Sequence, residues 1–236
     1  MITEDLKGAI LHHAAAAYPH ECCGVVVIQS DGHGLYLPCR NIAPDPENDF
    51  AIHPEDYAAA EEMGQVIAVA HSHPDASTRP GETDRALCDL SGLTWYIVSW
   101  PEGDFRVLLP REELPLVGRP FVLGVYDCWG LIMSWYRQSL GIELPDHRVN
   151  YPWWEQGEDR YMDNWHSTGF RKFSGPARTG DVVLMKVGAR VVNHAGVLLE
   201  DGMLLHHLYG HLSQRVVFDD NWRSRTEMIV RYQGNF

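Results

Sequence analysis

The stretch VIAVAHSHP at residues 66–74 joins a short apolar run to two histidines and a proline. Its first five residues, Val66–Ala70, are small or β-branched, which predicts a short buried strand. His71 and His73 are two residues apart, and residues at this spacing on an extended chain point to the same side. Both imidazoles can therefore reach one ion at the end of the strand.

An acidic residue on each side of this stretch completes a candidate metal site. Asp84 follows His73 by 11 residues, at the start of a predicted helix for which Thr83 is the expected cap. Two histidines and one carboxylate with a fourth position left open form a catalytic zinc arrangement. A zinc-activated water also needs a general base nearby, and Glu21, just before the predicted strand that begins at Gly24, is the candidate.

Strands and helices alternate around this candidate site. An Ala-rich helix ends before Pro19, and Pro54 favours the first turn of a second helix. A β-branched run, GVVVIQ, predicts a buried strand. The predicted elements are a helix at 3–18, strands at 24–29 and 35–37, a helix from 54, a strand at 66–70, a helix to 90, and strands at 94–99 and 105–109.

Pro110–Pro120 (PREELPLVGRP) separates two halves of different charge. Up to Pro115 the chain has 6 Lys or Arg against 19 Asp or Glu, and from Leu116 onward it has 13 of each. Three prolines and a glycine between such halves favour a domain boundary. We expect a first domain at 1–110, a linker at 111–118 and a second domain at 119–236.

A cysteine opens the first element of the second half. Cys128 begins an apolar pattern at helical spacing that predicts a helix to Leu140, and Asp127 is expected to cap it. A helix N-terminus favours an anion, so we expect a lowered thiol pKa and a nucleophilic thiolate. A buried structural cysteine is the alternative.

A histidine base is available in the strands that follow. His194 lies in one predicted strand and His206 in the next, with a turn at Glu200–Gly202 between them. His206 could therefore orient His194, as the third member of a catalytic triad does. His207 is the alternative, because a slip of one residue would exchange the two faces of the strand. The predicted strands are 181–187, 191–199, 203–208, 215–218 and 228–232; no element is assigned to 144–175.

Bulk properties exclude several classes of protein. The net charge of −13 argues against a nucleic-acid partner, because phosphate contacts need a basic surface. No segment reaches the roughly 18 apolar residues of a membrane helix, and MITEDLKGAI lacks the features of a signal peptide. We therefore expect the chain to fold in a cytoplasm. Five cysteines without a CxxC pair predict neither a disulfide framework nor a thiolate zinc site, and four of them are expected to be packing residues.

The first half resembles the JAMM (MPN-plus) metallopeptidases through ECCG at 21–24, His71-Ser72-His73-Pro74 and DRALCDL at 84–90. The resemblance implies a mixed sheet flanked by helices, zinc held by His71, His73 and Asp84, and Glu21 as the catalytic acid–base residue. It also implies a serine donor where this chain has Gly81. Ser77 or Thr78 could substitute for that serine, or the domain could be a binding module that kept its ligands.

The second half resembles the NlpC-type cell-wall cysteine peptidases. The matching segments are DCWGL at 127–131, TGDV at 179–182 and NHAGV at 193–197. The resemblance implies a papain-like domain, with a helix packed on an antiparallel sheet, and assigns Cys128 as nucleophile, His194 as base and His206 as the third polar residue. The family's upstream tyrosine has no clean match, and Phe121 and Tyr126 are the nearest aromatic residues. Trp153, Trp154 and Trp165 could line a substrate groove or pack in the core.

The order of the two domains resembles a family of tail-assembly proteins of lambda-type phages. That resemblance implies a tail-tip component made in the host cytoplasm, in contact with other phage tail-tip proteins. It implies a peptidase whose cysteine site cuts peptidoglycan stem peptides. The alternative is a catalytically silent plug or chaperone of the tail tip.

Overall fold

A computed structural model describes residues 2–112 and 114–234 of the chain. The chain divides into two units, Met1–Glu112 and Glu113–Phe236, and each is an α+β fold, as the sequence predicts. The limits proposed for the linker, 111–118, remain a prediction. No helix within the described residues is long and apolar enough to cross a membrane.

The first unit contains a five-stranded sheet with the order β2-β1-β3-β4-β5. Strands β3 and β4 pair in parallel, and the other neighbours are antiparallel. The elements are α1 (Glu4–Ala17), β1 (Cys23–Ile28), β2 (Gly34–Cys39), α2 (Pro54–Met63), β3 (Gln65–Pro74), α3 (Glu82–Ser91), β4 (Thr94–Trp100) and β5 (Phe105–Leu108).

Both faces of this sheet are buried, which explains the near-continuous apolar runs of its central strands. Ile10 and Ala14 of α1 pack with Ala68 and Ala70 on one face. The side chains of Ala60 and Cys88, from α2 and α3, share the other face with Val69. Alternation along β3 therefore points His71 to the face covered by α2 and α3.

Two details of the first unit differ from the prediction. Strand β3 is longer than 66–70 and includes both histidines. Helix α3 begins at Glu82, with Gly81 as its N-cap residue, so the prediction that Thr83 caps it was wrong. The side chain of Asp84 instead accepts the Gly81 N–H at 2.7 Å, which satisfies a backbone donor at the helix start.

The second unit contains helix α4 and a six-stranded antiparallel sheet with the order β10-β9-β8-β7-β11-β6. Its elements are α4 (Cys128–Leu140), α5 (Arg160–Asn164), β6 (Phe170–Lys172), β7 (Val182–Met185), β8 (His194–Leu198), β9 (Met203–His206), β10 (Gln214–Val217), α6 (Asp220–Arg225) and β11 (Thr226–Tyr232), with 3₁₀ turns at Trp153–Glu155 and Glu200–Gly202.

Helix α4 packs on the sheet through its apolar stripe. Leu131, Ile132 and Trp135 lie in one buried cluster with Val182 and Ala195 of the strands. Hydrophobic spacing therefore predicts both the helix and the face that it buries. The segment 144–175, to which no element was assigned, contributes α5, β6 and one 3₁₀ turn.

Candidate functional site

The carboxyl end of β3 carries a compact group of three metal-ligand side chains. The Nε2 atoms of His71 and His73 lie 3.0 Å apart. Each oxygen of the Asp84 carboxylate lies 3.4 Å from one of these nitrogens. All ligand atoms of the three residues fall within 4.8 Å of one another, so they converge on one small volume.

The surroundings of the two histidines orient their Nε2 atoms toward this volume. The Nδ1–H of His73 donates to the carbonyl of Ser77 at 2.8 Å, which leaves Nε2 as the free lone pair. A hydrogen bond of this kind fixes the tautomer of a metal-ligating histidine. The ring of His71 is fully buried and stacks on Phe50 at 4.5 Å, with Trp95 edge-on at 5.5 Å. The donor set and its orientation fit a zinc ion.

The pairing of β1 with β3 brings Glu21 to the same place. Cys23 lies opposite His71 in the antiparallel register, so Glu21, two residues earlier, lies beside His73. Burial raises the pKa of Glu21 to about 8, although the nearby charge of His73 opposes this shift. Burial also opposes ionisation of Asp84, but its contacts with the two imidazoles hold its pKa well below the usual range.

The fold leaves room for a side chain at position 81, where the JAMM pattern has a serine. Gly81 has φ −67°, an ordinary value for any residue, and a Cβ placed there meets only Asp84 Oδ2, at 3.5 Å. The two substitutes that the sequence offered are engaged differently. The carbonyl of Ser77 accepts the His73 Nδ1–H and its hydroxyl accepts the Arg79 N–H at 3.4 Å. The hydroxyl of buried Thr78 accepts the Arg106 Nε–H at 3.4 Å.

In the second unit, Cys128 begins α4 and Asp127 caps it. One carboxylate oxygen of Asp127 accepts the Gly130 N–H at 2.8 Å and the other accepts the Gly124 N–H at 3.1 Å. The expected capping role of Asp127 is confirmed. The other four cysteines are buried, as packing residues are.

His194 and His206 form a direct pair in the sheet. His194 Nε2 lies 3.0 Å from His206 Nδ1. The residue opposite His206 is Gly196, where a Cβ would lie 3.1 Å from that of His206 and 2.8 Å from the Leu205 carbonyl. Because Gly196 has no side chain, the ring of His206 can reach diagonally to His194. His207, the alternative third residue, packs edge-on against Phe121 at 5.1 Å and lines the cleft that contains Cys128.

Cys128 and His194 line the same cleft, which has a volume of about 370 Å³. The Tyr161 hydroxyl lies 3.1 Å from the Cys128 sulfur. Tyr161 thus lies next to the thiol, and Phe121, one of the two upstream aromatic residues, lines the same cleft. Tyr161 comes from α5, 33 residues after the cysteine, and nothing in its spacing signals a role. The sequence left open whether three tryptophans pack in the core or line a substrate groove. All three line the cleft: Trp153, Trp154 and Trp165.

The position of Cys128 at the helix start does not give the lowered thiol pKa that was expected. Burial, with a smaller contribution from Asp127, raises the pKa of Cys128 to about 12. Burial also lowers the pKa of His194 to about 3 and that of His206 to about 4. The expectation of a lowered thiol pKa was wrong, because the stabilisation at a helix end, about 0.3–2 kcal/mol, is smaller than the desolvation of a thiolate in this cleft. Both shifts favour a neutral thiol and a neutral imidazole in the resting pair.

These buried histidines predict that the second unit loses stability in acid. The pKa of a histidine side chain is about 6.5 in an unfolded chain, whereas that of His194 in the folded protein is about 3. The unfolded chain therefore binds more protons between those values, and stability falls as the pH drops from about 6.5 toward 3. We expect His194 alone to lower the free energy of unfolding by roughly 1.4 kcal/mol per pH unit in this window.

Urea unfolding of the second unit at pH 7.5 and pH 5.0 measures this loss. The variant His194→Leu should flatten the pH dependence, whereas His166→Leu, at an exposed histidine, should leave it unchanged. Equal pH dependence in all three proteins would contradict the burial argument.

The folds and side-chain clusters of the two units are of the kind found in peptidases. Its residues 3–109 match the model of prokaryotic homologs of the JAB domain, and residues 118–231 match the NlpC/P60 family. The chain belongs to the family of the tail tip assembly protein K of tailed phages.

Three relatives show how far the similarity extends. The tail tip assembly protein K of Escherichia phage N15 is 59% identical over 95% of this chain and 93% of its own length. Its counterpart in Escherichia phage lambda is 37% identical over 77% of this chain and 89% of its own. The desampylase of Haloferax volcanii is 31% identical over 48% of this chain and 95% of its own.

Proposed function

We propose that the second unit is a cysteine-type endopeptidase that cuts peptidoglycan stem peptides on behalf of the phage tail tip. The observation that carries this proposal is that His194, which lies 3.0 Å from His206, lines one cleft with Cys128. Membership of the NlpC/P60 and tail tip families supports it. In this role the protein acts in the host cell during assembly or in the virion, beside other tail-tip proteins.

The proposed reaction starts from the neutral pair. The Cys128 sulfur attacks the carbonyl carbon of the scissile peptide, and the free nitrogen of His194, Nδ1, takes the thiol proton. His206 holds the other nitrogen, Nε2, at 3.0 Å and stabilises the imidazolium. His194 then protonates the leaving amine, and water hydrolyses the thioester. The Tyr161 hydroxyl and the Ala195 N–H face the sulfur and help to hold its developing charge.

Digestion of purified peptidoglycan tests this function directly. We expect new peptide amines and carboxyl ends, identified by mass spectrometry of the released fragments, and no cleavage of the glycan strand. Prolonged digestion that yields no new peptide ends would overturn the proposal.

We further propose that the first unit binds zinc through His71, His73 and Asp84, with Glu21 as its acid–base residue. Zinc held there would act as a Lewis acid and activate a water for hydrolysis. Glu21, buried beside His73, would accept and return a proton. Since one relative of this unit is a desampylase, a peptide or isopeptide bond of another protein is the substrate class that we favour.

Restoring the serine at position 81 should strengthen this site. The Gly81→Ser side chain has room to enter, and a donor to a developing oxyanion is worth about 10²–10³ in kcat. We therefore expect zinc-dependent hydrolysis of isopeptide-linked substrates to rise by a factor of that order. The matched control, Gly81→Ala, adds a Cβ without a hydroxyl and should give no rise. Equal rates in the two variants would reject the oxyanion role of this position.

A catalytically silent tail-tip component is the second candidate function. Gly81 in the first site, a thiol with a pKa of about 12 in the second and the family's assembly role favour it. Complementation of a phage that lacks this gene separates the candidates. If the Cys128→Ala protein restores assembled tails and full infectivity, the structural role suffices. If it restores assembled tails but not infection, the enzyme is required after assembly.

A further inference from the structure

The pair formed by His194 and His206 leaves one polar atom unexplained. The Nδ1 atom of His206 lies 3.0 Å from His194 Nε2. The other nitrogen of His206, Nε2, is buried and has no hydrogen-bond partner among the described residues. A buried polar atom without a partner is uncommon and calls for an explanation. What lies beside this nitrogen matters for the pair, because the state of one imidazole nitrogen determines that of the other.

The indole of Trp222 lies against the imidazole of His206. Their ring centroids are 4.5 Å apart and their planes meet at 66°, an edge-to-face arrangement. The indole is farther from His194, at 6.1 Å between centroids. Within the part of the chain that the structure describes, the aromatic rings in contact with His206 are those of Trp222 and His194. Since His194 is bound to Nδ1, the indole is the aromatic neighbour that is left for Nε2.

The fold holds this indole in a fixed place. Trp222 belongs to α6 and packs against a buried cluster that includes Leu204 of β9. Residues two apart on a strand point to the same face, so Leu204 and His206 both face the side on which Trp222 packs. Asp219 caps α6 and accepts the backbone N–H of Trp222 at 3.2 Å, and the guanidinium carbon of Arg225 lies 5.7 Å from the indole. Backbone, packing and charge therefore all restrain the ring.

The hydrogen bond between the two histidines can form in two ways. If His206 carries its proton on Nδ1, it donates to His194 Nε2, and neutral His194 then has its own proton on Nδ1. In that form His194 has no lone pair to accept the thiol proton of Cys128. If His206 carries its proton on Nε2 instead, its Nδ1 accepts the Nε2–H of His194, and His194 Nδ1 is free to act as the base. Only the second form is productive in the proposed reaction.

An aromatic face distinguishes the two forms. The face of a ring is electrostatically negative and the edge positive, so the face attracts an N–H group and repels a lone pair. We propose that Trp222 is a positioning residue whose indole covers Nε2 of His206, favours the proton on that nitrogen and so keeps His194 Nδ1 free. Trp222 does not line the cleft that contains Cys128, and it acts through the two histidines. This inference rests on the proposed peptidase function and deepens it.

The tautomer of His206 can be measured in the resting protein near neutral pH. With ¹⁵N-labelled histidine, two-bond ¹H–¹⁵N correlations show which nitrogen carries the proton, and the variant His206→Asn identifies the resonances. We expect the proton on Nε2 in the parent and in Trp222→Phe, which keeps an aromatic face. Trp222→Leu should raise the ratio of the Nδ1–H form to the Nε2–H form roughly 2- to 5-fold. Phe218→Leu removes a ring from the same cluster and should leave the ratio unchanged.

Cleavage kinetics of a defined stem peptide give a second readout. We expect kcat of Trp222→Leu to fall roughly 2- to 5-fold with KM unchanged, because the substrate does not touch the indole. Trp222→Phe and Phe218→Leu should retain the kcat of the parent. Equal losses of kcat in Trp222→Leu and Phe218→Leu would mean that the cluster only supports the fold, and would reject the positioning role.

The spectra separate this inference from the function on which it rests, since they need no turnover. A parent protein with the proton on Nδ1 of His206 would overturn the role of Trp222, and this result does not depend on whether any variant folds. A tautomer ratio that is unchanged in folded Trp222→Leu would overturn it as well, and the peptidase function could still stand. If no stem peptide is cut but the ratio responds to Trp222→Leu and not to Phe218→Leu, the peptidase function fails and the control of the His206 tautomer by Trp222 stands.

Discussion

Replacing Cys128 by alanine is expected to reduce the hydrolysis of stem peptides by at least about 10⁴-fold in kcat/KM. The sulfur is the one atom that forms the covalent intermediate, and an alanine leaves the His194–His206 pair with nothing to deprotonate. When catalytic residues act as one unit, removing any one of them abolishes nearly the whole rate enhancement. Steady-state cleavage of a defined stem peptide, followed by chromatography, measures the loss.

The controls for this variant separate chemistry from folding. Cys88→Ala removes a buried thiol of the first unit and should retain the activity of the parent. His206→Ala should lower kcat more than it changes KM, because His206 contacts His194 rather than the substrate. If Cys128→Ala digested the peptide at the rate of the parent, the assignment of this cleft would be wrong.

The double variant His71→Ala/His73→Ala is expected to lose zinc completely. The parent should contain about one zinc per chain, since one site of three converging ligands is a catalytic zinc arrangement. Removing both imidazoles leaves Asp84 alone, which cannot hold the ion at micromolar concentrations. Elemental analysis of protein purified without chelator measures the content.

Zinc should also stabilise the fold of the first unit. A ligand at 100 times its dissociation constant adds about 2.7 kcal/mol to the free energy of unfolding, so a chelator should lower the unfolding temperature of the parent but not of the double variant. The control His12→Ala/His33→Ala, at two exposed histidines, should keep both the zinc and the chelator response. A parent protein purified without zinc, and unable to bind it when zinc is added, would reject the metal site.

The sequence was most informative where one local rule decides the structure. The β-branched runs at 24–29 and 66–70 and the helical spacing from Cys128 predicted a strand, a strand and a helix, and all three are present. The prediction of the residue that caps α3 failed because Gly81 and Thr83 both lie near the helix start and either could cap it. Thr83 has a better capping side chain than Gly81, but the carboxylate of Asp84 reaches back to the Gly81 N–H and sets the start earlier.

The sites show the same division between local pattern and tertiary context. Spacing along an extended strand suffices to bring His71 and His73 together. The choice between His206 and His207 depends instead on the register of β8 and β9 and on the space that Gly196 leaves. Tyr161 was missed because its helix lies in a segment without periodicity. The pKa of Cys128 was predicted with the wrong sign, because burial is a property of the folded cleft and not of a helix end.

The most direct measurement is the capture of the thiol by a stem-peptide aldehyde, in which an aldehyde replaces the scissile amide carbonyl. If Cys128 attacks that carbon, its sulfur bonds to it and the thiol proton passes to the new oxygen. The resonance of a ¹³C label on that carbon should then shift from the aldehyde and hydrate positions to that of a tetrahedral thiohemiacetal, at one equivalent per chain. With Cys128→Ala this shift should not occur. A label that stays free with the parent, or binds equally to both proteins, would contradict the account.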